Sequence, residues 1–158
     1  ALAGSLGIEL VGFEQVTNLD LAIDGADEVD PAFRMIKGGG AALTREKIVA
    51  AAARRIVIMV DASKVVDCLG RFPLPVEVIP FGWVRVARLI AGLGVPVARR
   101  ERDGAPLVTD NGNFILDCRF GRIPDPAGLE RTLKSIAGVL EVGLFVDFLQ
   151  RARRGIIR

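Results

Sequence analysis

The sequence predicts an α/β protein, and three observations lead to that fold class. Short apolar runs rich in β-branched residues alternate with segments of helical periodicity. Polar side chains directly follow two of these runs, at the strand ends where open α/β sheets bind their ligands. At 158 residues, the chain can bury the core of one domain, or of two small domains that share an interface.

The first half of the chain is predicted to form a parallel sheet with a helix packed on it. Two short apolar runs, residues 8–11 and 19–23, are predicted strands. Residues 41–54 are predicted to be helical, because their apolar positions recur at helical spacing and their alanines have high helix propensity. Residues 56–60 form a nearly continuous β-branched run, typical of a central parallel strand that is covered on both faces. Polar residues 61–64 follow this strand.

The second half begins with Phe-Pro-Leu-Pro at residues 72–75. This predicts a stiff linker, because each proline fixes its own φ and restricts the residue before it. Strands, helices and a hairpin turn are then predicted, in order, at residues 76–79, 83–91, 95–99, 110–113, 114–118, 126–136 and 139–142. Their βαββαβ order is ferredoxin-like. We therefore expect one domain at residues 73–143, and another formed by residues 1–72 together with about 144–158.

The composition excludes several kinds of catalytic site. The chain has no histidine, which excludes Ser-His-Asp and Cys-His catalysis and most zinc sites. Its two cysteines, Cys68 and Cys118, form no CxxC pair, so we expect no bound metal. Unpaired cysteines also favour a reducing compartment, and we expect a cytoplasmic protein. Catalysis would then depend on carboxylates, lysines and backbone dipoles.

Charge and hydropathy give no indication of a membrane or nucleic-acid partner. No apolar run approaches the roughly 18 uninterrupted residues of a membrane span. The net charge is only +2, and arginines cluster in two places. We interpret both clusters as solvated faces or oligomer contacts rather than a track for a phosphate backbone. They comprise Arg99, Arg100 and Arg102 in the middle of the chain, and Arg151, Arg153, Arg154 and Arg158 near its end.

Residues 24–47 are the strongest candidate for a functional site, because they gather charges and three glycines between apolar segments. Gathered charges cost stability unless they are solvated, paired or used. Gly38, Gly39 and Gly40 can adopt positive φ and let a ligand approach the backbone. A helix predicted directly after them would turn free N–H groups and a positive dipole end toward an anion, beside the charge of Lys37. The alternative is a flexible turn with a chance lysine.

Three carboxylates accompany the glycines. Asp24 and Asp27 follow a predicted strand, where a turn could bring both to one side to hold sugar hydroxyls or move a proton. The alternatives are a solvated loop, or Asp27 as a helix cap. Glu46 falls early in the predicted helix, as a general base or as an exposed glutamate that favours the helix dipole. The spacing excludes an EF-hand.

Taken together, these motifs closely resemble the type A ribose-5-phosphate isomerase family. The resemblance runs from about Ile8 to Phe145. It rests on DGADEVD, KGGGAALTREKIVA, DASK, FPLPVEVIP and VTDNGNFILD, which begin at residues 24, 37, 61, 72 and 108. It implies an aldose–ketose isomerase that interconverts ribose 5-phosphate and ribulose 5-phosphate without a metal or cofactor. The implied fold is a Rossmann-like parallel-sheet domain with an inserted ferredoxin-like lid domain.

The resemblance also assigns roles to individual residues. Glu46 matches the base that moves a proton between carbons 1 and 2, and Lys37 would stabilise the enediolate oxygens. Asp24 matches a residue implicated in opening the sugar ring, and Asp27 one that handles sugar hydroxyls. Further substrate-binding positions would be Gly25, Ala26, Gly38, Gly39, Gly40 and Lys64. The family also implies a homodimer or homotetramer.

Two departures from the family pattern bear on activity. The family carries a Gly/Ser/Thr-rich loop after its first strand, and no such loop precedes Asp24. Ala1 to Ala3 followed by Gly4 resemble the end of a helix, so we expect that a preceding segment is missing. The basic tail after Phe145 replaces the expected apolar closing strand. Two alternatives therefore stand beside the isomerase: a sugar-phosphate-sensing module that does not turn its ligand over, and an inactive shortened fragment.

Overall fold

The computed structural model of the protein describes residues 2–148. Its helices are α1 Leu2–Ser5, α2 Leu43–Ala52, α3 Trp83–Ala91 and α4 Pro126–Lys134, with a 3-10 helix at Ala62–Lys64. The first strands are β1 Ala22–Asp24, β2 Glu28–Val29, β3 Met35–Ile36 and β4 Ile56–Ile58. The later ones are β5 Leu74–Val78, β6 Val97–Arg99, β7 Glu101–Arg102, β8 Ala105–Pro106, β9 Phe114–Cys118, β10 Val139–Val142 and β11 Leu144–Phe145. The predicted α/β class is confirmed.

The largest sheet is antiparallel, with strand order β10-β5-β9-β6. This is the order that a βαββαβ unit gives when its first and third strands lie in the middle. Helices α3 and α4 supply apolar residues to the core of this part, with Val86 and Ile90 one helical turn apart and both buried. Helix α4 begins at Pro126 after Asp125, whose side chain accepts a hydrogen bond from the Gly128 N–H.

The predicted linker at residues 72–75 is wrong, because Leu74 and Pro75 belong to the central strand β5. A proline in a central strand normally removes a ladder hydrogen bond. Here the carbonyl of Pro75 accepts from the Gly143 N–H at 2.8 Å, and the Gly143 carbonyl accepts from the Lys37 N–H at 2.9 Å. The missing donor of Pro75 is thus replaced by that of Lys37, which pairs the Gly143 carbonyl.

Strands β1 and β4 form a parallel pair, with Ile23 opposite Val57. The predicted strand at residues 19–23 is therefore present but shifted to Ala22–Asp24. The prediction that residues 56–60 are covered on both faces is wrong for the described part of the chain, where Val57 and Met59 are exposed. In residues 2–148 only β1 pairs with β4, so the second edge and one face are not covered.

The predicted strand at residues 8–11 is also wrong. Residues 8–11 have no regular secondary structure, and the side chains of Ile8 and Leu10 are 57% and 65% exposed. A strand exists only when a neighbour accepts and donates its ladder hydrogen bonds, and no described residue pairs with this segment. A short apolar run therefore forms a strand only where such a neighbour is available.

A three-stranded sheet, β11-β3-β2, joins the end of the described chain to its beginning. Leu144 pairs with Ile36 and Phe145 with Met35, so the backbone returns to the segment that carries the candidate site. The rest of the basic tail, from residue 149, lies outside the described residues. None of the helices in residues 2–148 is long and apolar enough to cross a membrane.

Candidate active site

The ammonium of Lys37 lies at the centre of the candidate site. Its Nζ donates to the Gly25 carbonyl at 2.5 Å, and it lies 2.9 Å from Asp24 Oδ2 and 3.1 Å from Glu46 Oε2. Lys37 is only 4% exposed. A buried ammonium is tolerated when oxygens surround it, and two carboxylates and one carbonyl do so here. Three of the four predicted catalytic residues therefore meet around one cation.

Three different elements hold these side chains. Asp24 ends the parallel strand β1, Lys37 directly follows β3, and Glu46 lies in the first turn of α2. The backbone of Lys37 is fixed by its hydrogen bond to Gly143. A side chain at Gly143 would collide with the Lys37 carbonyl oxygen and with the ring of Pro75. The turn between β10 and β11 thus needs glycine, and sequence reasoning did not single out that glycine.

One oxygen of Glu46 is buried without a hydrogen bond. Among the described residues Oε2 accepts none, although it lies within ion-pair distance of Lys37. The contact with the Lys37 ammonium is therefore an ion pair. The side chain of Glu46 is 24% exposed, so the exposed-glutamate alternative does not describe this geometry. A charged oxygen with unshared lone pairs can accept a proton from a bound molecule.

The triple glycine forms a loop between Lys37 and α2. Gly38 has φ of +108°, and a Cβ there would meet Leu43 and Pro75 at 3.0–3.2 Å. Asp27 is the fourth predicted catalytic residue. Its Oδ2 accepts a hydrogen bond from the Gly39 N–H at 2.7 Å. Of the three glycines only Gly38 is left-handed, and α2 begins at Leu43, two residues later than the predicted start at residue 41. The backbone between them turns through Ala41, whose φ is +67°.

A cleft of about 170 Å³ opens between these groups. A single water molecule needs roughly 10–15 Å³ of cavity volume, so the cleft has room for a small sugar. Its lining consists of Asp24, Gly25, Ala26, Asp27, Lys37, Gly38, Gly39, Gly40, Glu46 and Lys64. All ten residues that the sequence analysis named thus line the same cleft.

Lys64 approaches the cleft from the 3-10 helix that follows β4. Asp61 caps this helix by accepting hydrogen bonds from the hydroxyl and the N–H of Ser63, which hold the pKa of Asp61 below its ordinary value. No ion pair to the Lys64 ammonium is present in residues 2–148, in contrast to Lys37. Its charge is therefore available to an anion.

An apolar wall closes the other side of Lys37. A second, smaller cavity of about 30 Å³ lies there, lined mainly by apolar residues that include Met35, Val49 and Phe145. The Phe145 ring lies 5.5 Å from Lys37 Nζ and 5.0 Å from Lys47 Nζ. Lys47 is paired with Glu130 and Glu141, so it does not share the role of Lys37. The low-polarity wall strengthens the ion pairs of the site.

The arginine cluster in the middle of the chain was predicted to be a solvated face or an oligomer contact, and the first alternative does not describe Arg99 and Arg100. The side chain of Arg100 is 14% exposed and binds Asp117 through two hydrogen bonds, at 2.5 and 2.9 Å. Its remaining nitrogen, Nη1, donates to the carbonyls of Gly38 and Gly39 at 2.8 and 2.9 Å. Arg99 lies over the rings of Trp83 and Phe114. Only Arg102 of the three is exposed.

A buried carboxylate network that the sequence analysis missed supports the start of α2. Glu77, on β5, is fully buried and accepts hydrogen bonds from the hydroxyls of Thr44 and Thr109. The side-chain amides of Asn111 and Asn113 donate to the same carboxylate. The turn at residues 110–113 is therefore tied to the residue that lies two positions before Glu46. The available signal was a glutamate in the middle of an otherwise apolar strand.

The surroundings of Cys118 are not those of a reactive thiol. Burial, with a smaller contribution from the Asp117 carboxylate, raises the pKa of the Cys118 thiol to about 12. Cys68 is partly buried and unpaired. Across residues 2–148, no three His, Cys, Asp or Glu side chains are grouped so that they could hold a metal ion.

Comparisons with known proteins agree on one family. A family model described as ribose 5-phosphate isomerase A (phosphoriboisomerase A) matches residues 1–155. The chain is 57% identical over 145 residues to ribose-5-phosphate isomerase A 1 of Oceanobacillus iheyensis, covering 92% of this chain and 65% of the relative. It is 52% identical over 158 residues to ribose-5-phosphate isomerase A of Parvibaculum lavamentivorans, covering 96% and 68%.

A solved structure is similar as well. A D-ribose-5-phosphate isomerase in complex with phospho-erythronic acid superposes with a TM-score of 0.89 at 43% identity, covering 93% of this chain and 66% of that one. The chain thus spans about two thirds of the length of the relatives that it matches. With most of its own residues aligned at such identity, the chain belongs to the ribose 5-phosphate isomerase A family.

Proposed function

We propose that this chain carries the catalytic residues of an aldose–ketose isomerase that interconverts D-ribose 5-phosphate and D-ribulose 5-phosphate. The observation that carries the proposal is the buried Oε2 of Glu46, which lies 3.1 Å from Lys37 Nζ and accepts no hydrogen bond from the described residues. Moving a proton next to a carbonyl requires a base in contact with the substrate and a positive charge for the oxygen that becomes anionic. Glu46 and Lys37 would supply these.

The reaction balances with these two groups. In the open-chain aldose, the Glu46 carboxylate takes the proton from carbon 2, and the electron pair of that bond forms the double bond of an enediolate. Negative charge then develops on the oxygen of carbon 1, where the Lys37 ammonium stabilises it. The proton of the carbon 2 hydroxyl then passes to the anionic oxygen of carbon 1, and Glu46 returns its proton to carbon 1 as the ketone forms at carbon 2. No atom is gained or lost overall.

The remaining site residues would hold and open the sugar. Asp24 lies beside the same ammonium with a side chain that is 38% exposed, which suits proton transfer to the ring oxygen. Asp27 would bind sugar hydroxyls, and Lys64 would bind an anionic group. Support comes from the ligand of the solved relative, because phospho-erythronic acid carries a phosphate and a planar carboxylate, the shape and charge of an enediolate.

The test is conversion of ribose 5-phosphate by the chain as given, beside Glu46→Gln. The amide keeps the size of the side chain but cannot accept the proton, so turnover should fall by about 10²- to 10⁴-fold. Glu101→Gln is the matched control, since Glu101 is exposed on β7 and pairs with Arg99 away from the cleft. Equal turnover by Glu46→Gln and the parent would exclude Glu46 as the base. Binding of phospho-erythronic acid without turnover would instead indicate a sensing module or an incomplete catalyst.

We also propose a division into two domains, at residues 1–72 with 144–158 and at residues 73–143. Its support is that the strands of the β10-β5-β9-β6 sheet all fall between residues 73 and 143, whereas the predicted catalytic residues precede residue 73. A homodimer or homotetramer in the cytoplasm is the assembly and location that we infer from the family. Light scattering after size-exclusion chromatography would measure the assembly, and a monomer at micromolar concentration would contradict it.

A further inference from the structure

We propose that Arg100, held by Asp117, is a positioning residue that orients the peptide groups of Gly38–Gly40 toward the cleft. The proposal rests on the proposed function, because it concerns the affinity of the same cleft for a sugar phosphate. Arg100 itself is outside that cleft: it lies between β6 and β7, some sixty positions along the chain from the glycines. It acts on the substrate only through the loop.

Hydrogen bonds fix both the side chain and the backbone of Arg100. Its Nε and Nη2 form a two-pronged contact with both oxygens of Asp117 on the central strand β9. Its backbone is fixed as well, since the Arg100 N–H donates to the Ile115 carbonyl at 2.8 Å and its carbonyl accepts from the Leu107 N–H at 3.0 Å. The guanidinium thus has one defined position, with Nη1 directed away from Asp117.

The fixed guanidinium of Arg100 binds the glycine loop. Nη1 donates to the carbonyls of Gly38 and Gly39 at 2.8 and 2.9 Å. In a trans peptide, the carbonyl and the following N–H point in opposite directions, and all the described peptides are trans. The N–H groups of Gly39 and Gly40 must therefore point away from Arg100. Gly39 donates to Asp27 on the cleft side, as this geometry requires.

The N–H of Gly40 has no acceptor among residues 2–148. Gly40 lines the cleft, and a Cβ placed there would meet no atom within 4 Å. An unused donor at an open position, beside the ammonium of Lys37, suits an anionic oxygen of the bound sugar. Without Arg100, the two glycine peptides could rotate, because glycine has few conformational restrictions. The donor would then no longer be held in place.

The experiment compares Arg100→Ala, Arg100→Lys and Asp117→Asn with the control Arg102→Ala. Arg102 is exposed on β7, and its replacement removes the same positive charge two residues away. Arg100→Lys keeps the charge but cannot bind Asp117 and two carbonyls with a planar fork. The first readout is the Kd for phospho-erythronic acid. We expect a rise of about 10- to 100-fold for both Arg100 variants, a smaller rise for Asp117→Asn, and no change for Arg102→Ala.

The second readout is the amide ¹H–¹⁵N shifts of Gly39 and Gly40 in the ligand-free protein. These shifts should move in both Arg100 variants and stay at the parent values in Arg102→Ala, whether or not the chain turns substrate over. Circular dichroism and the unfolding midpoint establish that each variant is folded. Parent-like glycine shifts in Arg100→Ala, or parent-like affinity in Arg100→Lys, would overturn the proposal. If the parent binds no sugar phosphate, the proposed function fails, and the glycine shifts still decide the role of Arg100.

Discussion

Lys37 Nζ and Glu46 Oε2 lie 3.1 Å apart, in a contact that is an ion pair but not a hydrogen bond for the described residues. The ammonium donates its hydrogen bond to the carbonyl of Gly25 and forms a second ion pair with Asp24. This arrangement keeps the charge of Glu46 compensated while its lone pairs stay available. A base that already accepted a strong hydrogen bond would have to break it before it could accept a proton.

Replacement of Lys37 should lower turnover. In Lys37→Met the side chain keeps its length and loses its charge, so the developing oxyanion has no cation beside it. We expect kcat for ribose 5-phosphate to fall by about 10²- to 10³-fold. Lys134→Met is the control, because it removes a charge that pairs with Glu141 and does not line the cleft. An unchanged kcat in Lys37→Met would contradict the role of this ammonium.

Gly143→Ala should destabilise the protein and disturb the site at once. The new Cβ would meet the Lys37 carbonyl, and the Pro75 ring carbon and carbonyl oxygen at 2.9 and 3.0 Å. Backbone and ring atoms cannot move aside as a flexible side chain can, so we expect a loss of about 2 kcal/mol or more in the free energy of unfolding. Urea unfolding measures it. Gly4→Ala is the control, because a Cβ there meets nothing within 4 Å. Equal stabilities of the two variants would be inconsistent with this reasoning.

Glu77→Gln should lower stability by about 1–3 kcal/mol. Four donors converge on the buried carboxylate, and an amide replaces one of its two acceptor oxygens with a further donor. Urea unfolding gives the difference, and hydrogen exchange at residues 109–113 should become faster. Glu101→Gln is the control, because Glu101 belongs to an exposed ion pair. This substitution should change the free energy of unfolding by much less. Unchanged protection of residues 109–113 would show that the network does not hold this turn.

Glu141 should make part of the free energy of unfolding dependent on pH in the acidic range. Burial by itself would raise the pKa of Glu141, but hydrogen bonds from Lys47, the Val142 N–H and Lys134 outweigh it, and the pKa lies below its ordinary value of 4.5. The unfolded chain therefore binds more protons than the folded one between these two values. The contribution of Glu141 is fully present above about pH 4.5 and is lost as the pH falls through the lowered pKa.

The measurement compares Glu141→Gln with the parent by urea unfolding at pH 7 and again below pH 4. We expect the variant to be less stable at pH 7, and the difference to shrink in acid. Glu101→Gln is the control for removing one carboxylate outside this cluster, since Glu101 is exposed. A difference that stayed constant from pH 7 to pH 3 would rule out this linkage.

Local elements could be predicted from the sequence where short-range physics decides them. The bounds of α3, β9 and β10 agree with the predicted residues 83–91, 114–118 and 139–142. Helix periodicity, a Pro after an Asp cap, and a turn with Gly112 at φ +78° act within a few residues. The short β7–β8 hairpin was missed, because strands of two residues have no periodicity to detect.

The sequence by itself determined the α/β class, the βαββαβ order of residues 76–142, and the family resemblance that names the ten residues lining the cleft. Only the tertiary structure decided that Pro75 sits in a central strand and that Arg100 binds the glycine loop instead of solvent. It also decided that residues 8–11 have no strand partner among the described residues. The physical reason is that these outcomes depend on groups supplied from distant parts of the chain. Gly143 approaches Lys37 and Asp117 approaches Arg100 only when the sheets are assembled, and no local pattern encodes those contacts.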